Sequence, residues 1–314
     1  MGGGQHRPDE QARGVPAPTL PVQADHSRPC PFCPGSEDIG PVLEAGADAG
    51  SWQVKVVPNR YPAFEGEEPM VVNHRGPLFT EAPASGLHEV LVLSPDHQAG
   101  WGRLSERQTR LVMAAIRDRV VAHSQRPGLR YTQVIVNAGR EAGASLEHPH
   151  AQLLALPFVP RELADEQAGF ARFAGGCLMC AAVQAEVDAH HRMVYLDDHV
   201  AIFCPFWSGV PFEMMVVPQE HLAHLSDSPQ ADLDAVGNAL RIAISHLRNH
   251  VGEVAYNLVF HSAPYRANGQ FHWHVHVLPK LTTLAGFELG TGVLINIVPP
   301  EEAAQALRSS LAAA

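Results

Sequence analysis

The sequence predicts an α+β fold made of two tandem copies of one unit, each an antiparallel sheet with packed helices. Three observations carry this. The same order of elements occurs twice. A Cys-x-x-Cys pair opens each copy. The same gap separates the matched histidines, since 148 − 97 = 51 and 272 − 221 = 51. A fixed internal period is the mark of a repeated structural unit.

The first copy opens on Cys30-Pro31-Phe32-Cys33. A strand is expected from Trp52 to Val57, and another at Val90-Leu91-Val92-Leu93, ending in Ser94-Pro95-Asp96-His97. Apolar residues at Leu111, Met113, Ala115, Ile116 and Val120 predict a helix over about 105–124. A strand from Tyr131 to Asn137, a Gly-rich loop and the run His148-Pro149-His150-Ala151-Gln152 complete the unit. The second copy opens on Cys177-Leu178-Met179-Cys180. Strands are expected at Val194–Leu196 and Val200–Cys204, where Cys204 reads as a buried thiol. Met214 to His221 follows, then a helix over Gln230–Val251, a strand from Tyr256 to His261 and His272-Trp273-His274-Val275-His276. The expected organisation is a flexible leader over 1–28, a first unit over 29–160 and a second over 161–314. The join falls in the polar, Ala/Gly-rich stretch Arg161 to Gly176.

Composition narrows the function classes. The chain has 314 residues, a formal net charge of −11 and 46% hydrophobic residues. That charge argues against nucleic-acid polymers, which need a positive field, but leaves room for a small anionic ligand held by local donors. No apolar run reaches the roughly 18 residues of a membrane span. Met1 to Val22 lacks the apolar core of a signal peptide, so a cytoplasmic protein is expected. In a reducing compartment, paired cysteines point to metal rather than disulfides.

Zinc takes four nitrogen or sulfur ligands, and a Cys-x-x-Cys turn supplies two. The first candidate set is Cys30, Cys33, His97 and His148. The second is Cys177, Cys180, His221 and His272, with His274 and His276 as competing ligands; this second site could hold another metal. Four protein ligands leave no position for substrate, so either ion would be structural. A carboxylate among Glu162, Asp165 and Glu166 is a further candidate to join His261, His274 and His276 at a metal.

Alternation in a strand turns His148, His150 and Gln152 to one face. A histidine with one ring nitrogen fixed by a hydrogen bond presents the other as a nucleophile. His150 is that candidate, and Gln152 is placed to donate to a phosphoryl oxygen. Upstream, Asn137-Ala138-Gly139-Arg140-Glu141-Ala142-Gly143-Ala144-Ser145 offers small residues and polar side chains to a phosphate. Trp101, Trp207 and Trp273 read as packing residues.

These residues resemble the galactose-1-phosphate uridylyltransferase family, a branch of the histidine-triad superfamily. The run Asn137-x-Gly139, then Gly143-Ala144-Ser145-x-x-His148-Pro149-His150-x-Gln152, carries the likeness. Cys30-Pro31-Phe32-Cys33-Pro34-Gly35, Val57-Pro58-Asn59-Arg60-Tyr61-Pro62, Ser94-Pro95-Asp96-His97, Pro205-Phe206-Trp207 and Pro211-Phe212-Glu213 fit in the same order. The resemblance implies two histidine-triad-like units and a ping-pong transfer through a nucleotidyl-histidine at His150. It implies that Asn59, Asn137, Gly139, Ser145 and Gln152 serve the nucleotide or its phosphates, and that Glu288 serves the hexose. It also implies a homodimer acting on a nucleotide sugar with a sugar 1-phosphate or phosphate, most closely UDP-glucose–hexose-1-phosphate uridylyl transfer. Three positions depart from the pattern. The N-terminal arginine-bearing strand is not recognisable before Cys30, Leu281-Thr282-Thr283 replaces a lysine, and Phe287 replaces a tyrosine. Phe287 to Gly292 and the second cysteine pair look closer to the ADP-glucose phosphorylase subgroup, which transfers adenylyl to phosphate. Two other readings stay open: a nucleotide hydrolase using His274, and a zinc-stapled nucleotide-binding module without catalysis.

Overall fold

A computed structural model of the chain describes residues 30–36, 40–46, 52–66, 70–267 and 269–310. The expected leader lies outside the described residues. The first unit contributes β1 (Leu43–Ala45), β2 (Val54–Pro58), a small hairpin of β3 (Asn73–Arg75) and β4 (Phe79–Glu81), and β5 (Leu87–Val92). It continues with α1 (Glu106–Ser124), β6 (Tyr131–Ala138) and β7 (His150–Leu156). After α2 (Arg161–Arg172) and α3 (Leu178–Ala189), the second unit contributes β8 (Met193–Leu196), β9 (Val200–Phe203), β10 (Met214–Pro218) and α4 (Gln230–Val251). It ends with β11 (Tyr256–His261), β12 (His274–Pro279), α5 (Gly286–Thr291) and α6 (Pro300–Ser309).

Apart from the hairpin, all strands join one 10-stranded antiparallel sheet in the order β1-β2-β5-β7-β6-β11-β12-β10-β9-β8. The two units meet where β6 pairs with β11, with Leu258 opposite Val136 and Phe260 opposite Val134. These two pairs exchange under a shift of 124 positions, the same shift that takes His97, His148 and His150 to His221, His272 and His274. The sheet therefore carries an internal pseudo-twofold at its middle, and the α+β expectation of two tandem histidine-triad-like units holds.

Local chemistry explains the elements. Ser105 caps α1 by accepting from the Gln108 N–H, which satisfies one of the free donors of the first turn. Leu233, Val236, Leu240, Ile244 and Leu247 recur at helical spacing on α4 and are buried, giving the apolar stripe that a sheet-packed helix needs. The helix stops at Gly252, whose φ of 82° suits glycine. α1 and α4 lie side by side on one sheet face. A Cβ on Gly237 would stand 2.9 Å from Met113 Cγ, so this contact demands a residue without a side chain. Trp101 fixes the same junction by donating from Nε1 to the Gly237 carbonyl at 3.1 Å.

The opposite face is covered unequally. Over the second unit, Leu163 and Phe170 of α2 and Met179 and Val183 of α3 pack on Phe203, Met215, Val217 and Phe271. Tyr131 and Leu156 of the first unit join this cluster, whereas Val90 and Val92 of β5 do not. Trp101 and Trp273 are buried as expected, each contributing on the order of 2–3 kcal/mol. Trp207 is not, being 54% exposed, because the loop between β9 and β10 carries it beyond the sheet. Cys204 is buried, in agreement with its strand-end reading. Among the described residues, no helix is long and apolar enough to cross a membrane.

Candidate active site

The first cysteine turn stands beside the start of β7. Cys30 Sγ and Cys33 Sγ each lie 3.6 Å from His148 Nδ1, and Cys33 Sγ lies 3.4 Å from His97 Nδ1. A tetrahedral zinc with usual bond lengths puts sulfur and nitrogen about 3.5 Å apart. His148 Nε2 is 2.8 Å from the Ser94 carbonyl. A carbonyl only accepts, so the proton sits on Nε2 and the Nδ1 lone pair faces the sulfurs. The second set repeats this. Cys177 and Cys180 Sγ lie 3.7 and 3.4 Å from His272 Nδ1, His221 Nδ1 lies 3.6 Å from Cys180 Sγ, and His272 Nε2 donates to the Pro218 carbonyl at 2.8 Å. Burial and the adjacent Cys177 push the Cys180 thiol up to about 12. Burial pulls His272 down to about 4, so its ring stays a neutral donor. Both four-residue groups could hold a metal ion, and their donors fit zinc.

His150 follows His148 by two residues, at the start of β7. Pro149 has no N–H, so the strand begins at His150 rather than His148, although the Leu93 N–H still reaches the Pro149 carbonyl at 3.1 Å. His150 Nδ1 donates to the His148 carbonyl at 2.9 Å. Its Nε2 has no hydrogen-bond partner among the described residues. Burial lowers its pKa, which keeps Nε2 unprotonated and nucleophilic. Phe32, from the cysteine turn, rests against the ring at 5.5 Å. Gln152 follows on the same face, with Oε1 2.9 Å from His88 Nε2. Asn59 joins this group. Its Nδ2 lies 3.1 and 3.4 Å from the two His88 ring nitrogens, and its Oδ1 accepts from the Tyr61 N–H.

The Gly-rich loop meets the same end of the sheet. Gly139 has φ 86°, and a Cβ there would fall 2.7 Å from Ala255 Cβ, so glycine is required. Asn257 Nδ2 donates to Asn137 Oδ1 and to the Ala142 carbonyl, both at 2.8 Å. This leaves Asn137 Nδ2 free to donate. Ser145 lies exposed on the loop. Glu288 is not brought to His150; its carboxylate accepts the Ala285 N–H at the start of α5, 3.0 Å away. His88 and Asn257 were missed by sequence reasoning. Their period-2 positions were visible, but the pairing of β5 with β7 and of β6 with β11 was not.

His274 matches His150 in position and differs in surroundings. Its Nδ1 donates to the His272 carbonyl at 2.9 Å, yet its Nε2 faces Glu166 Oε1 at 3.1 Å and His276 Nε2 at 3.2 Å. A lone pair aimed at a carboxylate calls for a cation between them. His261 Nδ1 reaches the other Glu166 oxygen at 2.8 Å, and Glu213 Oε1 lies 3.3 Å from His276 Nδ1. His261, His274 and His276 form a third group that could hold a metal, with Glu166 rather than Glu162 or Asp165 as the carboxylate. The hollows at matching places in the two units differ as well. Asn137, Gly139, Pro149 and His150 border a cavity of about 490 Å³. Its pseudo-twofold mate has shrunk to about 10 Å³. There Tyr265, standing where the first unit has Glu141, fills the space and bonds to Thr132.

Comparison with known proteins now bears on this geometry. Residues 5–160 match the model of the galactose-1-phosphate uridyl transferase N-terminal domain. The chain belongs to the galactose-1-phosphate uridylyltransferase family. Residues 94–314 of this family member also match a domain of unknown function, DUF4921. It is 28% identical to an ADP-glucose phosphorylase of Arabidopsis thaliana, over 89% of this chain and 81% of that protein. It is 28% identical to a galactose-1-phosphate uridylyltransferase of Thermotoga maritima, over 92% of each. The crystal structure of the Arabidopsis ADP-glucose phosphorylase with bound ADP-glucose superimposes with a TM-score of 0.79 at 26% identity, covering 91% of each chain. A uridylyltransferase structure gives 0.81 at 28% identity, covering 96% of this chain and 94% of that one. The transferase reading of the sequence is thereby shown at the level of the family, a nucleotidyltransferase.

Proposed function

We propose that this family member transfers a nucleotidyl group from a nucleotide sugar through His150. The observation that supports it most is the asymmetry of two matched histidines. Both have Nδ1 fixed by a carbonyl, but of the two only His150 has an Nε2 without a partner among the described residues. His150 Nε2 attacks the α-phosphorus, the bond to the bridging oxygen breaks, and sugar 1-phosphate leaves with the electron pair. An acceptor phosphate oxygen then attacks the same phosphorus and the P–N bond breaks, returning the pair to Nε2. Gln152 and Asn137 donate to the phosphoryl oxygens as charge develops, and Ser145 and the Gly139 loop close around the phosphates. Asn59 serves the nucleoside. Glu288 serves the hexose from a second copy of the chain.

A homodimer is part of this reading. Phe206, Trp207, Phe287, Leu289, Val293 and Ile297 are each exposed, and Asn296 donates to the Ser208 carbonyl, which sets the 293–297 segment beside the Phe206–Trp207 loop; a partner would cover such apolar surface. Zinc at Cys30, Cys33, His97 and His148 would hold the His148 backbone, and with it the His150 ring. Zinc at Cys177, Cys180, His221 and His272 would staple the second unit. With Glu166, the group His261, His274 and His276 would take a third cation.

Uridylyl transfer between UDP-glucose and a hexose 1-phosphate is the first reading. Adenylyl transfer from ADP-glucose to phosphate is the second, favoured by the second cysteine pair and by the ADP-glucose-binding relative. Incubation with α-phosphate-labelled UDP-glucose and ADP-glucose separately tests both. The account expects an acid-labile label on the protein from one of them.

A further inference from the structure

We infer that His88 is a positioning residue for the transfer, fixing which end of the Gln152 amide faces the phosphoryl group. This rests on the reading of His150 as nucleophile given above. His88 is buried on β5. It lies on the same sheet face as His150 and Gln152, because β5 pairs with β7 with Val90 opposite Gln152 and Val92 opposite His150.

Hydrogen-bond logic fixes the ring. The backbone N–H of Ala63 points at His88 Nδ1 at 3.1 Å. A backbone N–H can only donate, so Nδ1 must accept and carries no proton. A neutral ring then has its proton on Nε2. That N–H needs an acceptor, and Gln152 Oε1 lies 2.9 Å away. With its oxygen committed to His88, Gln152 presents its amide N–H groups to the space beside His150. The flipped amide would set N–H against N–H and turn an oxygen toward a phosphoryl oxygen, the wrong polarity for an anion. A glutamine beside an anionic centre is useful only in one of its two orientations, and His88 selects it.

The same ring reaches the nucleoside side of the site. The Asn59 N–H donates to the His88 carbonyl at 2.8 Å, and Asn59 Nδ2 lies 3.4 Å from the accepting Nδ1; its 3.1 Å approach to Nε2, itself a donor, is packing and not a hydrogen bond. The segment from Asn59 to Ala63 and the amide of Gln152 are thus tied to one imidazole. His88 touches no reacting atom in this arrangement; it acts through Gln152.

Two substitutions separate this role from simple support of the loop. His88→Gln can place an amide N–H near the Nε2 position and keep donating to Gln152. His88→Asn can accept the Ala63 N–H near the Nδ1 position but offers nothing to Gln152. The measurement is single-turnover formation of labelled protein from whichever nucleotide sugar labels the wild type, with zinc content and thermal midpoint checked for each variant. The expected result is a roughly 10- to 100-fold slower step for His88→Leu and His88→Asn, with half-saturation changed less than about threefold. His88→Gln should recover most of the loss. His88→Leu combined with Gln152→Ala should be no slower than Gln152→Ala alone. The inference is overturned if the wild type labels and His88→Leu labels equally fast, if His88→Asn rescues and His88→Gln does not, or if the two losses multiply. A wild type that takes no label overturns the reading of His150 itself, and the inference with it.

Discussion

His150 and His274 stand at equivalent positions in the two units, and each gives its Nδ1 proton to the carbonyl two residues earlier at 2.9 Å. What differs is the other nitrogen. Glu166 lies 3.1 Å from His274 Nε2, while His150 Nε2 meets no carboxylate among the described residues. The fold made two such histidines, and α2 set a carboxylate against one of them.

His274→Ala should therefore keep nucleotidyl-protein formation within a few-fold of wild type while lowering bound metal. Single-turnover labelling and metal analysis on the same preparation check this. A folded His274→Ala protein that takes no label would move the chemistry to the second unit.

Metal content should follow the two cysteine turns independently. Cys30→Ser and Cys177→Ser should each lose about one equivalent of zinc and lower the thermal midpoint, since a structural zinc contributes several kcal/mol to folding. Only Cys30→Ser should lose labelling, because its cluster includes His148, whose carbonyl orients His150. Equal labelling loss in both variants would contradict separate roles.

Gly139→Ala tests the loop. With φ at 86° and Ala255 Cβ 2.7 Å from the added carbon, the substitution should cost on the order of 1–3 kcal/mol and slow the first half-reaction. Chemical denaturation and labelling rate report the two effects. An alanine variant with unchanged stability would show that the loop tolerates another path.

Asn257→Leu should slow labelling by roughly tenfold, because Asn137 would lose the bond that holds its amide with the N–H groups outward. A variant labelling at the wild-type rate would remove Asn257 from the account.

These positions show where sequence reading reached and where it stopped. The repeat, the helices α1 and α4, both cysteine–histidine groups and the face shared by His150 and Gln152 were legible, because periodicity and spacing are local properties. The pairing of Asn257 with Asn137 was not, since a strand's partner across the middle of the sheet depends on the packing of both units. The same holds for His88, one more polar residue on an apolar strand until β5 is set beside β7. Trp207 was read as packing and is exposed, since aromatic character alone does not say whether the apolar neighbour lies in the same chain. Glu288, assigned by resemblance, binds the start of its own helix in the single chain.

Acid sensitivity has a defined source in the first unit. Burial alone would raise the Glu89 carboxyl, but hydrogen bonds from His123 and Arg119 outweigh it and hold the group at about 2, below its ordinary 4.5. A depressed carboxyl contributes stability above its unfolded value and loses it as the pH falls toward the folded value. The contribution is on the order of 3 kcal/mol. Glu89→Gln should be less stable than wild type at pH 6, and the gap should narrow between about pH 4.5 and 2. Urea midpoints across that range measure it, and a gap independent of pH would contradict the assignment.

Covalent labelling tests the central claim most directly. Wild-type protein and His150→Ala are each incubated with α-phosphate-labelled UDP-glucose or ADP-glucose, then denatured and assayed for acid-labile label. The account predicts label on the wild type from one of the two and none on His150→Ala. Label that persists in His150→Ala, or a wild type that takes label from neither, would contradict it.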